Sequence, residues 1–240
     1  VHEVLENLPG SVVLDITTEE TMAERHARHD ARVVRIDRQR LVSGQMGSDE
    51  MSRARKKIVE SQDYLNRIYV SELPPGSSVA GVLIGARQIR RMHPGAPLFV
   101  CIDSADHLRA ARRVENHRLG VVSVFEDIAA LLKDKDIMPC AGITTVQAGR
   151  QVAQGHRARA PGAQDVSESI IKAQIATVGI GITDGPEDAR EDSELTPLRL
   201  ILFKNRLGQT KRWTVHTDAH LGLCEFTETY SHSDDPDEPN

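Results

Sequence analysis

The chain has 240 residues, of which 39% are hydrophobic and only 3% aromatic, which predicts one large domain with an aliphatic core. Its formal charge of −5 argues against a uniformly basic nucleic-acid-binding protein, although basic residues cluster locally. Three widely spaced cysteines argue against a disulfide framework, and no signal peptide or apolar run of roughly 20 residues is visible. We therefore expect a cytoplasmic protein without membrane contact.

The predicted elements alternate between strands and helices along the chain. Apolar runs predict strands at 11–16, 68–70, 98–102, 139–145, 177–182, 198–203 and 211–217. Helical spacing and cap residues predict helices at 2–8, 22–28 (with Thr18 as N-cap), 49–66, 79–92, 119–133 and 166–173. This order predicts an α/β fold: a mostly parallel central sheet, helices on both faces and a terminal antiparallel hairpin.

The sequence also suggests where the ordered core ends. Residues 1–226 form the predicted core, which contains a mobile loop at 149–164 and an acidic loop at 184–194. Residues 227–240 are acidic and contain proline, so we expect a disordered tail there.

Carboxylates follow two of the predicted strands. Asp103 ends the apolar run 98–102, where open α/β sheets bind ligands, and in nucleotide-hydrolysing enzymes such an aspartate holds Mg²⁺. Glu19 and Glu20 follow the first strand, and a carboxylate there could deprotonate a water molecule. From the residues alone, each is equally an ordinary helix-capping or first-turn charge.

Other polar residues also follow predicted strands. Gln147 follows the strand 139–145 and could hydrogen-bond a phosphate or its attacking water. Lys204 and Arg206 follow the apolar run 200–203, and arginine is well suited to stabilising a transferring phosphoryl group. Solvated surface charge is the alternative for both cations.

Two basic clusters are candidates for phosphate-backbone contacts. They comprise Arg109, Arg112, Arg113, His117 and Arg118 in the first cluster, and Arg150, His156, Arg157 and Arg159 in the second. Because no aromatic residues lie among them, any nucleic-acid binding should tolerate sequence changes. Ordinary solvated charge remains the alternative.

Taken in order, these motifs resemble the RecA-like ATPase core of the replicative DnaB-type DNA helicases. The resemblance runs from residue 1 to residue 226. It rests on Val12 to Glu19, the Leu-x-x-Gly-x-x-x-x-Asp pattern at Leu41, Gly44 and Asp49, Leu98 to Asp103, Glu115 to Arg118, Thr144 to Arg150, Asp165 to Ser169, and Lys204-Asn205-Arg206-x-Gly208.

The resemblance implies specific roles. Glu19 would be the catalytic glutamate, Asp103 the Mg²⁺-coordinating aspartate and Gln147 the nucleotide sensor. Arg206 would act as an arginine finger on the neighbouring subunit's ATP, assisted by Lys204. The implied DNA-binding residues are Arg112, Arg113, Arg118, Arg150, Arg157 and Arg159.

The resemblance also implies cofactors and partners. The protein would use ATP and Mg²⁺ and form a homo-oligomeric ring, a hexamer, on single-stranded DNA. Replication or mobile-element proteins would be its partners.

The sequence departs from the family in its phosphate-binding loop. No Gly-x-x-x-x-Gly-Lys-Ser/Thr motif is present, and residues 2–8 resemble the continuation of the helix that follows this loop in the family. Either the chain is a fragment or the loop has been lost, and this chain alone should bind ATP poorly. A non-hydrolysing RecA-like scaffold or regulator, and a recombinase- or clock-type ATPase, are therefore alternatives.

Overall fold

The computed structural model describes residues 1–112, 117–147, 170–184, 196–208, 213–223 and 225–230. The chain divides into two compact units, Val1–Gln147 and Ala148–Asn240. Each unit has its own sheet.

The first unit contains a four-stranded, entirely parallel sheet in the order β2-β1-β3-β4. Its strands are β1 Val12–Thr17, β2 Ile68–Glu72, β3 Leu98–Asp103 and β4 Cys140–Thr144. Every residue of β1 is buried, as expected for a central strand of a parallel sheet.

Seven helices accompany this sheet in the described part of the first unit. They are α1 His2–Asn7, α2 Met22–Val34, α3 Arg38–Ser43, α4 Ser48–Glu60, α5 Gln62–Leu65, α6 Val79–Met92 and α7 His117–Leu131. A 3₁₀ turn, Ala105–His107, follows β3.

Helices pack on both faces of β1. On one face, His29 of α2 contacts Asp15. On the other, Gly85 of α6 lies against the side chain of Leu14, close enough that a methyl group at Gly85 would touch it at 3.4 Å. Because successive strand side chains point to opposite faces, α2 and α6 cover opposite sides of the sheet.

The second unit contains a four-stranded antiparallel sheet in the order β5-β6-β7-β8. Its elements are α8 Ile170–Ile175, β5 Val178–Asp184, β6 Thr196–Asn205, β7 Trp213–His220, a 3₁₀ turn Leu221–Leu223 and β8 Glu225–Tyr230. Gly179 is required in β5 because a side chain there would collide with the Phe203 ring, as close as 2.4 Å.

The α/β fold and the parallel sheet with helices on both faces are confirmed. The predicted terminal hairpin, β6 and β7, is part of a larger antiparallel sheet that also includes β5 and β8. β8 continues past residue 226 to Tyr230, while residues 231–240 lie outside the described residues. The same holds for the predicted loop at 149–164 and for residues 185–194.

Two helix predictions differ from the structure. The predicted helix 49–66 is interrupted at Ser61, where α4 ends and α5 begins. The N-cap of α2 is Thr21, whose hydroxyl accepts the Glu24 backbone N–H in a capping box, and not Thr18. The hydroxyl of Thr18 contacts the backbone at Asp103 and Ser104, so Thr18 joins β1 to β3. Over the described ranges, none of the helices is long and apolar enough to span a membrane.

Candidate functional site

The carboxyl ends of β1 and β3 lie side by side. Thr17 pairs in register with Asp103. The backbone N–H of Thr18 donates to the Asp103 carbonyl at 2.9 Å. Because the two strands are parallel, the residues that follow β1 emerge at the same edge of the sheet as Asp103.

The two glutamates that follow β1 have different surroundings. Glu19 is 43% exposed, and its Oε1 lies 3.5 Å from Nε2 of His107. Glu20 is 18% exposed and forms ion pairs with Arg28 and, at 3.6 Å, with Arg38. Glu19 is therefore the glutamate whose carboxylate is accessible to solvent at the edge of the sheet.

Asp103 is partly exposed, but both of its carboxylate oxygens are engaged. Nη1 of Arg25 donates to Oδ2 at 2.9 Å, and the Thr145 hydroxyl donates to Oδ1 at 2.7 Å. Thr145 follows β4, so the segment after β4 passes along the Asp103 edge of the sheet.

Gln147 ends the described part of this segment. Its backbone N–H donates to Oδ2 of Asp106 at 3.2 Å, and its side chain is exposed. Glu19, Asp103 and Gln147 all lie within the first unit. Glu19 and Asp103 follow adjacent parallel strands, and Gln147 contacts the turn after Asp103.

A buried charged group lies beneath this edge and was missed by the sequence analysis. The carboxylate of Asp15, in the middle of β1, is fully buried. Nε and Nη2 of Arg25 bind its two oxygens at 2.8 Å each, and Nε2 of His29 lies 2.8 Å from Oδ2. Burial opposes ionisation of Asp15, but the hydrogen bonds from His29 and Arg25 hold its pKa well below the usual range.

The hydrogen-bond chain continues to the amino terminus. The other ring nitrogen of His29, Nδ1, lies 3.0 Å from Nε2 of His2, and Nδ1 of His2 lies 2.6 Å from the Tyr64 hydroxyl. Burial, and then the nearby His29, lower the pKa of His2 to about 3. A neutral His2 donates from one ring nitrogen and accepts at the other, so the chain is satisfied in either direction.

One sequence signal could have revealed this network. Asp15 interrupts the apolar run Val12 to Ile16, and a charge at a buried position requires a partner. Arg25 and His29 are four residues apart and therefore share one face of α2. Nothing in the sequence alone assigns them to Asp15 over a solvent-facing role.

Lys204 and Arg206 lie at the end of β6 and are both held by α8. The Lys204 ammonium donates to the carbonyls of Ala173 and Gln174, and Nη2 of Arg206 donates to the Gln174 carbonyl at 2.6 Å. Burial and the neighbouring Arg206 charge lower the pKa of Lys204. Cations suit the carbonyls at a helix C-terminus, and the exposed guanidinium of Arg206 keeps further donors.

The predicted DNA-binding residues are only partly described. Arg112 is 73% exposed and lies 3.8 Å from the Glu126 carboxylate. Arg118 lies in the first turn of α7. The others lie outside the described residues: Arg113, Arg150, Arg157 and Arg159.

The donors at this edge fit Mg²⁺ in one way. Within the described ranges, no group of three or more His, Cys, Asp or Glu side chains could hold a metal ion. Mg²⁺ is commonly bound by one or two carboxylates together with water and substrate phosphates. Asp103 therefore fits as the carboxylate ligand of an ion carried mainly by a nucleotide, provided that Arg25 yields Oδ2.

Comparisons with known proteins define the fold. No protein-family model matches the sequence, and no curated protein sequence matches it. Among solved structures, the chain is similar to a DnaB-like replicative helicase described with its interactions with primase. The two are 21% identical with a TM-score of 0.71, over 85% of this chain and 48% of the helicase. This chain thus spans about half of that helicase's length.

The second similar structure is the ATPase domain of another helicase. The TM-score is 0.75 at 20% identity, over 94% of this chain and 76% of that domain. At this level of identity, the likeness defines the fold. The chain has the RecA-like α/β fold found in the ATPase domains of DnaB-like replicative helicases.

Proposed function

We propose that this chain is the motor domain of a DnaB-like ring helicase, which hydrolyses ATP at subunit interfaces to translocate on single-stranded DNA. One observation carries the proposal: on a fold shared with helicase ATPase domains, Glu19 and Asp103 follow adjacent parallel strands at one edge of the sheet. Ligands bind at the carboxyl ends of strands in open α/β sheets, so these carboxylates are suitably placed for catalysis.

The proposed roles follow from the surroundings of each side chain. Glu19, exposed at the edge, would accept a proton from the attacking water. Asp103 would hold Mg²⁺, which neutralises charge on the phosphate oxygens when bound. Gln147, next to the Asp106 carboxylate, would sense the nucleotide and relay its state to the segment that follows.

Arg206 would complete the site of a neighbouring subunit. Its guanidinium is exposed, and the anchoring of Lys204 and Arg206 to α8 would hold it in a defined position. A preorganised cation is the form in which an arginine best stabilises a transferring phosphoryl group. Lys204 would contribute mainly by positioning this strand end.

The remaining parts of the proposal concern assembly and location. The protein would form a hexameric ring on single-stranded DNA, contacted through Arg112, Arg113, Arg118, Arg150, Arg157 and Arg159. Replication or mobile-element proteins would be its partners, and the cytoplasm its location. The exposed side chain of Arg112 supports a backbone-contacting role for the first cluster.

The Arg206→Ala variant tests the proposal. Because the sequence has no phosphate-binding loop motif, the measurement uses the natural full-length protein with ATP and Mg²⁺. An arginine finger is worth about 10³–10⁵ in turnover, so ATP hydrolysis should fall to background while the circular dichroism spectrum is unchanged. Leu207→Ala, at the exposed neighbouring position, is the matched control. Normal hydrolysis by Arg206→Ala would refute the role of Arg206.

A second candidate function is a RecA-like scaffold that assembles without hydrolysis. Two observations favour it: the missing phosphate-loop motif and the Arg25 guanidinium bound to Asp103. This candidate predicts that the full-length protein forms rings or filaments but releases no phosphate from ATP. Hydrolysis that depends on Glu19 would eliminate it.

A further inference from the structure

The guanidinium of Arg25 contacts two carboxylates with separate nitrogens. Nε and Nη2 form a two-point contact with Asp15, each at 2.8 Å, and Nη1 lies 2.9 Å from Oδ2 of Asp103. The planar guanidinium presents its donors in a fixed geometry. The position of Nη1 against Asp103 is therefore set by the attachment to Asp15.

The attachment to Asp15 is the permanent one. Asp15 has no exposed surface, and Arg25 is only 14% exposed. Removing one partner from a buried pair leaves an uncompensated charge and is strongly destabilising. Burial works against the charge of Arg25, yet the hydrogen bond to Asp15 raises the pKa of the guanidinium, which therefore stays protonated. Asp103, partly exposed, is the contact that can be exchanged.

We propose that Arg25 is a resident cation at Asp103, which competes with a divalent cation for Oδ2 and so lowers the metal affinity of this carboxylate. The inference rests on the proposed function, because it concerns the aspartate assigned to Mg²⁺. An oxygen that accepts a hydrogen bond from a guanidinium is less available to a metal, and the positive charge beside it repels a second cation. Arg25 is a positioning residue in this scheme.

Arg25 has an alternative acceptor when a metal takes Oδ2. The same Nη1 lies 3.6 Å from Oε2 of Glu20. A small rotation about the Asp15 contact exchanges one carboxylate for the other without leaving the guanidinium unpaired. Glu20 thereby receives the displaced contact, while Glu19 remains exposed.

Mn²⁺ binding without nucleotide tests the proposal. The loss of the free Mn²⁺ electron paramagnetic resonance signal measures affinity in the 240-residue chain. The double variant Asp15→Asn with Arg25→Gln removes the guanidinium without leaving Asp15 as an unpaired buried charge. Its affinity should rise on the order of tenfold, because a positive charge next to the binding oxygen is gone. Adding Asp103→Asn should abolish that gain.

The matched control is Arg28→Gln, since Arg28 contacts Glu20 but has no contact with Asp103 described. Its Mn²⁺ affinity should equal that of the wild type. Equal affinities of the double variant and the wild type would overturn the proposal, as would a gain that survives Asp103→Asn. If the double variant fails to fold, Arg25→Lys, which keeps a cation for Asp15 but loses the fork, should bind Mn²⁺ more tightly than the wild type. An unchanged affinity would overturn the proposal in that variant too.

Failure of this inference is distinguishable from failure of the proposed function. Mn²⁺ binding requires neither ATP nor a ring, so a gain in the double variant supports the role of Arg25 even if the full-length protein never hydrolyses ATP. Conversely, ATP hydrolysis that needs Glu19 and Arg206, with no Mn²⁺ gain, would leave the proposed function standing and reject the resident cation.

Discussion

His107 and Glu19 lie against each other at the edge of the parallel sheet, with Nε2 of His107 3.5 Å from Oε1 of Glu19. His107 belongs to the 3₁₀ turn that follows β3, and Glu19 follows β1. The contact joins the proposed catalytic base to the segment that begins with Asp103. It also leaves Glu19 far more exposed than its neighbour Glu20.

The Glu19→Gln variant should lose ATP hydrolysis while it still folds and assembles. A positioned general base contributes about 10²–10⁴ in rate, and glutamine cannot accept the proton from water. Phosphate release by the full-length protein measures the effect. The side chain is exposed, so the free energy of unfolding should change little.

Glu20→Gln distinguishes the two glutamates. The Glu20 carboxylate is held by Arg28 and Arg38, and its neutralisation should slow hydrolysis no more than a few-fold. If Glu20→Gln is inactive and Glu19→Gln is active, the catalytic role belongs to Glu20 and our assignment is wrong.

Acid should destabilise the first unit through His2. The ordinary pKa of histidine is 6.5, and in the folded chain that of His2 is about 3. Between these values the unfolded chain binds a proton that the folded chain does not, so the free energy of unfolding falls as pH decreases. The lowered pKa of Asp15 acts in the same direction, but only below its ordinary value of 3.8.

Urea unfolding at several pH values between about 7 and 4.5 measures this effect, and His2→Gln is the comparison. Glutamine can hydrogen-bond with His29 and Tyr64 but does not titrate. The wild type should lose up to about 1.4 kcal/mol per pH unit more than the variant, the limit for one proton. Parallel pH profiles would show that His2 is not buried in its neutral form.

Single-stranded DNA binding should depend on the two arginine clusters and on salt. Alanine at Arg112, or at both Arg157 and Arg159, should weaken binding equally for different oligonucleotides, since no aromatic residues lie among them. Each lost phosphate contact should reduce the slope of log affinity against log salt by about 0.7. Fluorescence anisotropy measures both quantities. Unchanged affinity and slope would remove these residues from the DNA-binding surface.

Local patterns were sufficient to predict much of the first unit. The apolar run 98–102 predicts a buried parallel strand, and β3 occupies Leu98–Asp103. The helix predicted at 79–92 is α6, with Ser78 as its side-chain cap. These elements follow from periodicity and capping, which are properties of neighbouring residues. Strand β8 was missed because its alternating residues lie in a polar, acidic stretch.

Long-range polar contacts could not be predicted from the sequence. The contact of Arg25 with Asp103 spans 78 residues and depends on β1 and β3 being neighbours in the sheet. The anchoring of Arg206 to α8 likewise depends on how β6 ends relative to that helix. Local sequence assigned Asp103 and Arg206 to strand ends, but only the tertiary structure identified which groups hold them.

The most direct test of the account mixes two inactive variants. If Glu19 and Arg206 act on the same ATP from adjacent subunits, Glu19→Gln and Arg206→Ala subunits form complete sites where an intact Glu19 faces an intact Arg206. With random assembly at equal amounts, about a quarter of the interfaces are complete. The mixed full-length proteins should therefore regain measurable ATP hydrolysis, which neither variant shows alone. No recovery at any mixing ratio, when the wild type is active and the variants are shown to assemble together, would contradict a site shared between subunits.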